Sequence, residues 1–183
     1  MIHHEKIMRA VRLFLEAIGE DQSREGLVET PDRIARMAEE LFRPQEKLTD
    51  IFSKTFTASG TEPVIEKDIT FYSFCEHHLL PFFGTAAIGY IPDGKVLGLS
   101  KIARAVDYFA RRVQIQEHMT AQIADAFMEH LKPKGVIVAL SAEHLCLSMR
   151  GVKKPGAKTL TYAARGEFEQ NMELRQRFFE AVK

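Results

Sequence analysis

Cys75, Glu76, His77 and His78 stand side by side, and Cys146 follows much later in the chain. The C-x-x-H spacing of Cys75 and His78 lets one turn direct both side chains at the same point. Two thiolates and an imidazole suit Zn²⁺, which takes sulfur and nitrogen ligands in a tetrahedral shell. Only two cysteines are present, so a four-cysteine structural site is excluded. Three protein ligands leave a fourth position for water, whose pKa zinc lowers to about 7. Other readings stay open on these residues alone. Cys75 and Cys146 could form a disulfide. His77 and His144 could be partly buried histidines held by backbone carbonyls, and Glu76 a solvated carboxylate.

These residues need elements to hold them. An apolar strand over 64–74 leads into the Cys75 run, and a second over 83–91 pairs with it through a tight connection around Pro81 and Gly84. Asp93-Gly94 marks another turn. Ser100 opens a helix carrying Ile102, Val106, Phe109 and Val113. A second helix carries Met119, Ile123, Phe127 and Leu131, and Pro133 and Gly135 end it. Strands over 136–149 and 158–168 follow, then a short helix near 170–181. In a strand running to 149, His144, Cys146, Ser148 and Arg150 would share one face, and Leu145, Leu147 and Met149 the other.

Upstream, residues 5–18 read as an amphipathic helix with Ile7, Val11, Phe14, Leu15 and Ile18 on one side, stopped at Gly19. A second helix begins at Thr30-Pro31, with Thr30 as its cap and Ile34, Met37, Ala38 and Leu41 as its stripe. Residues 44–62 are polar and read as a connecting loop. The expected division is a helical appendage and connection over 1–62 and a main domain over 63–183. Paired strands on either side of a helix pair predict an α+β fold with a largely antiparallel sheet.

Composition narrows the function. The 183 residues carry 25 basic and 25 acidic side chains, so the basic excess of a nucleic-acid binder is missing. Hydrophobic residues at 45% and charged residues at 27% argue against a disordered chain. No apolar run approaches the roughly 20 residues of a membrane-spanning helix, and the N-terminal stretch lacks a secretory apolar region. The expectation is a cytoplasmic protein with neither a membrane nor a nucleic-acid partner.

Several motifs together resemble the GTP cyclohydrolase I family. They are Cys75-Glu76-His77-His78-Leu79-Leu80-Pro81-Phe82, Gly98-Leu99-Ser100-Lys101-Ile102-Ala103-Arg104, Gln114-Ile115-Gln116-Glu117, His144-Leu145-Cys146 with Met149-Arg150-Gly151-Val152, and Thr30-Pro31-Asp32-Arg33-Ile34-Ala35. The resemblance spans about residues 5 to 181. It implies the tunnelling fold, in which an antiparallel sheet backed by two helices joins the sheets of other subunits into a barrel. It also implies a homodecamer with active sites between subunits, and conversion of GTP and water to formate and 7,8-dihydroneopterin triphosphate. That reaction is the entry step to folate or tetrahydropterin synthesis.

By the same resemblance Cys75, His78 and Cys146 match the family's zinc ligands. His77 matches a proton-transfer histidine, expected to donate to N7 of the purine as C8 is hydrated, and His144 a second histidine near the reacting imidazole ring, expected to shuttle a proton. Glu117 matches the carboxylate on the guanine edge, where it can accept two hydrogen bonds. Taken alone, Glu117 reads equally as an exposed helix-start carboxylate. Gln116 either assists the guanine contact or shapes the turn. Arg33, Arg36, Ser100, Lys101, Arg104 and Arg150 match the triphosphate site, although each arginine alone reads as a surface charge, and Arg36 could pair with Glu40. Arg36 stands where some relatives have lysine, and Tyr162 departs from the usual Thr-x-Thr-Ser. Rival readings are a related pterin enzyme with three-histidine zinc, which the cysteine pair argues against, and a non-catalytic zinc or nucleotide-binding module.

Overall fold

The computed structural model describes residues 2–183. By internal packing the chain divides into two compact units, Met1–Arg43 and Pro44–Lys183. Among the described residues, no helix is long and apolar enough to cross a membrane.

The first unit is a helix pair, α1 (His4–Ala17) and α2 (Thr30–Leu41). Leu15, Ala35 and Ala38 are buried, but Phe14, Ile18 and Met37 are exposed despite their place on the expected stripes. Two helices alone cannot cover two complete apolar stripes. Pro31 sits in the first turn as expected. Thr30 does not cap α2, because the hydrogen-bonded turns from Arg24 onward lead into the helix with no extended residue before it. The Thr30 hydroxyl donates instead to the Gly26 carbonyl at 3.2 Å.

The second unit begins with α3 (Leu48–Ile51) and β1 (Thr55–Thr57), so the segment expected as loop carries two short elements. β2 (Val64–Cys75), β3 (Pro81–Ile91) and β4 (Lys95–Leu97) follow. Next come α4 (Leu99–Ala110), β5 (Val113–Gln114) and α5 (Gln116–His130). β6 (Gly135–His144), α6 (Leu145–Ser148), β7 (Lys158–Gly166), α7 (Glu167–Gln170) and α8 (Met172–Ala181) complete the chain. β1 pairs with β4 as a separate ribbon, which is why a polar stretch holds a strand.

The main sheet has the order β5-β2-β3-β6-β7. Every neighbouring pair is antiparallel except β2 with the two-residue β5. The fold is therefore α+β, with a largely antiparallel sheet, as expected. Period-2 alternation assigns the two faces. Val136, Val138, Leu140 and Ala142 of β6 join Ile102, Val106, Phe109, Met119, Ile123 and Phe127 of α4 and α5 in the main core. Ile137 and Ala139 of the same strand face Phe168 and Phe178 of α7 and α8. Both faces of β6 are covered, which accounts for its unbroken apolar run.

Three expectations are corrected here. Gly84 does not lie in the connection between β2 and β3 but inside β3, opposite Ala142. A Cβ at Gly84 would stand 1.9 Å from the Ser141 carbonyl oxygen, so close approach of β3 and β6 selects glycine. The strand expected over 136–149 stops at His144 and gives way to the helical turn α6. The shared face proposed for residues 144 to 150 therefore does not exist beyond His144. Val113 belongs to β5 and is partly exposed, not part of the buried face of α4.

Candidate active site

The connection between β2 and β3 builds one wall of the site. Cys75 closes β2, and its carbonyl accepts from the His78 and Leu79 amides at 3.3 and 2.8 Å. Cys75 N–H donates to the Leu80 carbonyl at 2.8 Å, which seals the turn. Leu79 takes φ 54°, a left-handed value unusual for a branched side chain. That twist lets the chain reverse within the C-x-x-H run. β5 pairs Gln114 with Cys75, and the Glu76 amide donates to the Gln114 carbonyl at 3.0 Å. This pairing sets the first turn of α5, with Gln116 and Glu117, beside the cysteine.

α6 supplies the opposite wall. Its turn brings Cys146 Sγ to 3.9 Å from Cys75 Sγ, and Cys75 Sγ stands 3.7 Å from His78 Nδ1. The ligand atoms of Cys75, His78 and Cys146 all lie within 4.8 Å of one another. Tetrahedral zinc with its usual bond lengths separates two sulfurs by about 3.8 Å and a sulfur from a nitrogen by about 3.6 Å. The donor set and its spacing fit that ion. Both cysteines are free thiols at a separation far beyond a disulfide bond. Burial and the neighbouring Cys75 push the Cys146 thiol above its ordinary pKa, with Arg150 opposing weakly.

His77, Glu117 and His144 line the same cleft, which has a volume of about 240 Å³ and also includes Cys75, Gln116 and Cys146. His77 and Glu117 are exposed. Burial pulls the His144 pKa below the ordinary imidazole value, while the Glu117 charge raises it. A larger cavity, about 430 Å³, opens near Ile91, Lys134 and Phe168 and contains no cysteine or histidine. The chemistry-bearing groups make the smaller one the candidate site.

Gln116 makes no approach to solvent. It is 1% exposed, and its side-chain amide is spent on Leu140, Thr159, Thr161 and His144. Sequence reading missed Thr120, Thr161 and Phe82 in this setting. Thr120 and Thr161 join hydroxyls at 2.7 Å, and Phe82 stacks on His144 with centroids 4.6 Å apart and planes 2° apart. Phe82 lies in the Cys75 motif, but its role depends on its cross-strand pairing with His144.

The proposed phosphate residues separate into groups. Arg150 follows α6 close to Cys146. Ser100, Lys101 and Arg104 are at the start of α4 and do not line the cleft. That start is fixed by Leu97 N–H donating to Tyr90 Oη at 3.0 Å. Tyr90 lies nine positions along β3 from Pro81, roughly 30 Å of strand. Lys101 and Arg104 both pair with Glu46, Lys101 at 2.7 Å. In the other unit, Arg33 pairs with Glu29 at 2.6 Å and Arg36 with Asp32 at 2.9 Å. Tyr162, on the edge strand β7, meets Phe179 edge-on at 5.4 Å.

Comparison with known proteins decides the family, because the sequence profile described as GTP cyclohydrolase I matches residues 7–183. The chain belongs to the GTP cyclohydrolase I family. It is 55% identical to GTP cyclohydrolase 1 of Clostridium kluyveri over 179 residues, 97% of each chain. It is 52% identical to that of Clostridium perfringens over 183 residues, covering 100% of this chain and 99% of the other. Against the protein of Carboxydothermus hydrogenoformans the identity is 56% over 181 residues, 96% of this chain and 92% of the relative. Among solved structures, the archaeosine synthase QueF-Like in its apo form gives a TM-score of 0.47 at 19% identity, covering 59% of this chain and 97% of its own. The GTP cyclohydrolase I family converts GTP to dihydroneopterin triphosphate, with release of formate.

Proposed function

We propose that this chain carries out the family reaction at the cleft between the Cys75–Leu80 turn and α6, with zinc held by Cys75, His78 and Cys146. The observation that carries the reading is the meeting of these three donors at spacings that fit a tetrahedral ion. When bound, zinc supplies Lewis acidity and a water acidified to near neutrality. Every other task falls to the chain. Glu117 accepts two hydrogen bonds from the guanine ring N–H and exocyclic amine, a donor pair that adenine lacks. His77, exposed beside Cys75, delivers a proton to N7 as the five-membered ring is hydrated and opened. His144 moves a second proton on the way to formate release.

Arg150 holds phosphate from this chain's own side of the cleft. Ser100, Lys101 and Arg104 do not line this cleft, and we assign them to the site of a neighbouring subunit. The free N–H groups at the start of α4 favour an anion there. Two further features support assembly through the sheets. Among the described residues, β7 is paired on one side only, and β2 carries a neighbour on its outer side only at Phe74 and Cys75. Open edges of this length invite pairing with another chain, consistent with a ring-based decamer. Arg33 and Arg36 are phosphate candidates by resemblance alone. A reducing cytoplasm suits two free thiols.

The test is incubation with GTP, reading formate and the pterin fluorescence that develops after oxidation, with zinc measured alongside. The zinc-loaded protein is expected to produce both signals. His77→Ala is expected to retain zinc and lose turnover by about 100-fold or more. Full turnover by His77→Ala would remove that histidine from the scheme. GTP binding without formate would leave a nucleotide-binding module.

A further inference from the structure

The hydrogen bonds around Gln116 can be satisfied in one direction only. The Thr120 hydroxyl is 2.7 Å from the Gln116 main-chain oxygen, which can only accept, so Thr120 donates there. Its proton is then spent, and the 2.7 Å contact between Thr120 Oγ1 and Thr161 Oγ1 requires Thr161 to donate to Thr120. Thr161 Oγ1 is left as acceptor for Gln116 Nε2, 3.0 Å away. The same nitrogen faces the Leu140 and Thr159 carbonyl oxygens at 3.1 and 3.0 Å. Three acceptors around one amide nitrogen settle which end of the amide is which. Gln116 Oε1 therefore faces His144 Nε2, at 2.7 Å. An amide oxygen cannot donate, so the proton in that bond belongs to His144 Nε2.

We propose that Thr120, Thr161 and Gln116 form a proton-ordered relay that holds a proton on His144 Nε2 and fixes the orientation of the ring. The assignment rests on the reading of His144 as a proton-transfer group. It makes Gln116 a positioning residue, not a contact to guanine. The relay begins on α5 and crosses to β7, and Phe82 sets the plane of the ring from beneath. Gln116 and Thr120 are each 1% exposed, so water cannot substitute for a missing partner.

Two measurements test this. Magic-angle-spinning NMR of the zinc-loaded enzyme, labelled with ¹⁵N-histidine, reads the tautomer directly. His144 is assigned by its loss in His144→Gln. The expected spectrum shows a protonated His144 Nε2. A bare Nε2 would overturn the proposal. This reading needs no turnover, so its failure is distinguishable from failure of the GTP assignment. The second measurement is steady-state kinetics with GTP. Thr161→Val breaks the relay and is expected to lower kcat by roughly ten- to a hundredfold with little change in KM. Thr161→Ser, which keeps the hydroxyl, is expected to restore it. Unchanged kcat in Thr161→Val, or a rise in KM alone, would contradict a positioning role. If Thr161→Val does not fold, the spectrum of the unaltered enzyme decides by itself.

Discussion

Cys146 reaches the donor group it forms with Cys75 and His78 from a helical turn and not from a strand. Its partners were legible through the resemblance of the motifs, and not from two cysteines and the C-x-x-H spacing alone, which left a disulfide open. Its route was not, because alternation of apolar and polar residues over 144 to 150 fits a strand as well as a turn. Gln116 was legible as part of a motif, but its role depends on Thr159 and Thr161, more than forty residues away. A residue-scale expectation concerns Glu66. Its Oε2 is buried with no hydrogen-bond partner among the described residues, and burial raises its pKa. A carboxyl with a raised folded-state pKa binds its proton more tightly when folded. Its charge therefore costs stability at neutral pH, and the cost fades as pH falls through the raised value. Glu66→Gln, which carries no charge, is expected to raise Tm at pH 7 to 8. The gain should shrink toward the ordinary carboxylate range near pH 4 to 5. A pH-independent difference in thermal melts would refute this.

At the scale of elements, the long helices and the four long strands follow from periodicity, and their order gives the α+β class. The short elements do not. β5 has two residues, and only its pairing with Phe74 and Cys75 gives it meaning. β1 lies in a polar stretch and exists because β4 is available to pair with it. Gly84 shows the same limit, since its sequence context suggests a turn while its neighbour across the sheet is the reason for it. Gly84→Ala would force β3 away from Ser141 or distort β6. The expected cost is about 3 kcal/mol or more, at the upper end for single substitutions. It is read as a fall in denaturation midpoint relative to the unaltered protein, and an unchanged midpoint would show that the strands separate freely.

At the scale of the whole molecule, the Cys75, His78 and Cys146 donors gather at one cleft, whereas Ser100, Lys101 and Arg104 do not line it. The motifs revealed the residues but not their separation, because distance along a folded sheet is not written in spacing. A site shared between subunits makes two kinds of damaged chain complementary. Cys146→Ala lacks the metal half, and a Lys101→Ala/Arg104→Ala chain lacks the donated phosphate half. Each alone is expected to be inactive. Co-assembled in equal amounts they should recover activity, with about a quarter of the sites intact under random mixing. No recovery in verified mixed oligomers would place both halves in one chain.

The reading as a whole stands on the ion between Cys75, His78 and Cys146. Zinc K-edge X-ray absorption on the purified protein, paired with metal content, addresses it most directly. The expected result is one zinc per chain, with two sulfur neighbours near about 2.3 Å and nitrogen or oxygen neighbours near about 2.0–2.1 Å. A protein active on GTP without zinc, or zinc with no sulfur in its shell, would contradict it.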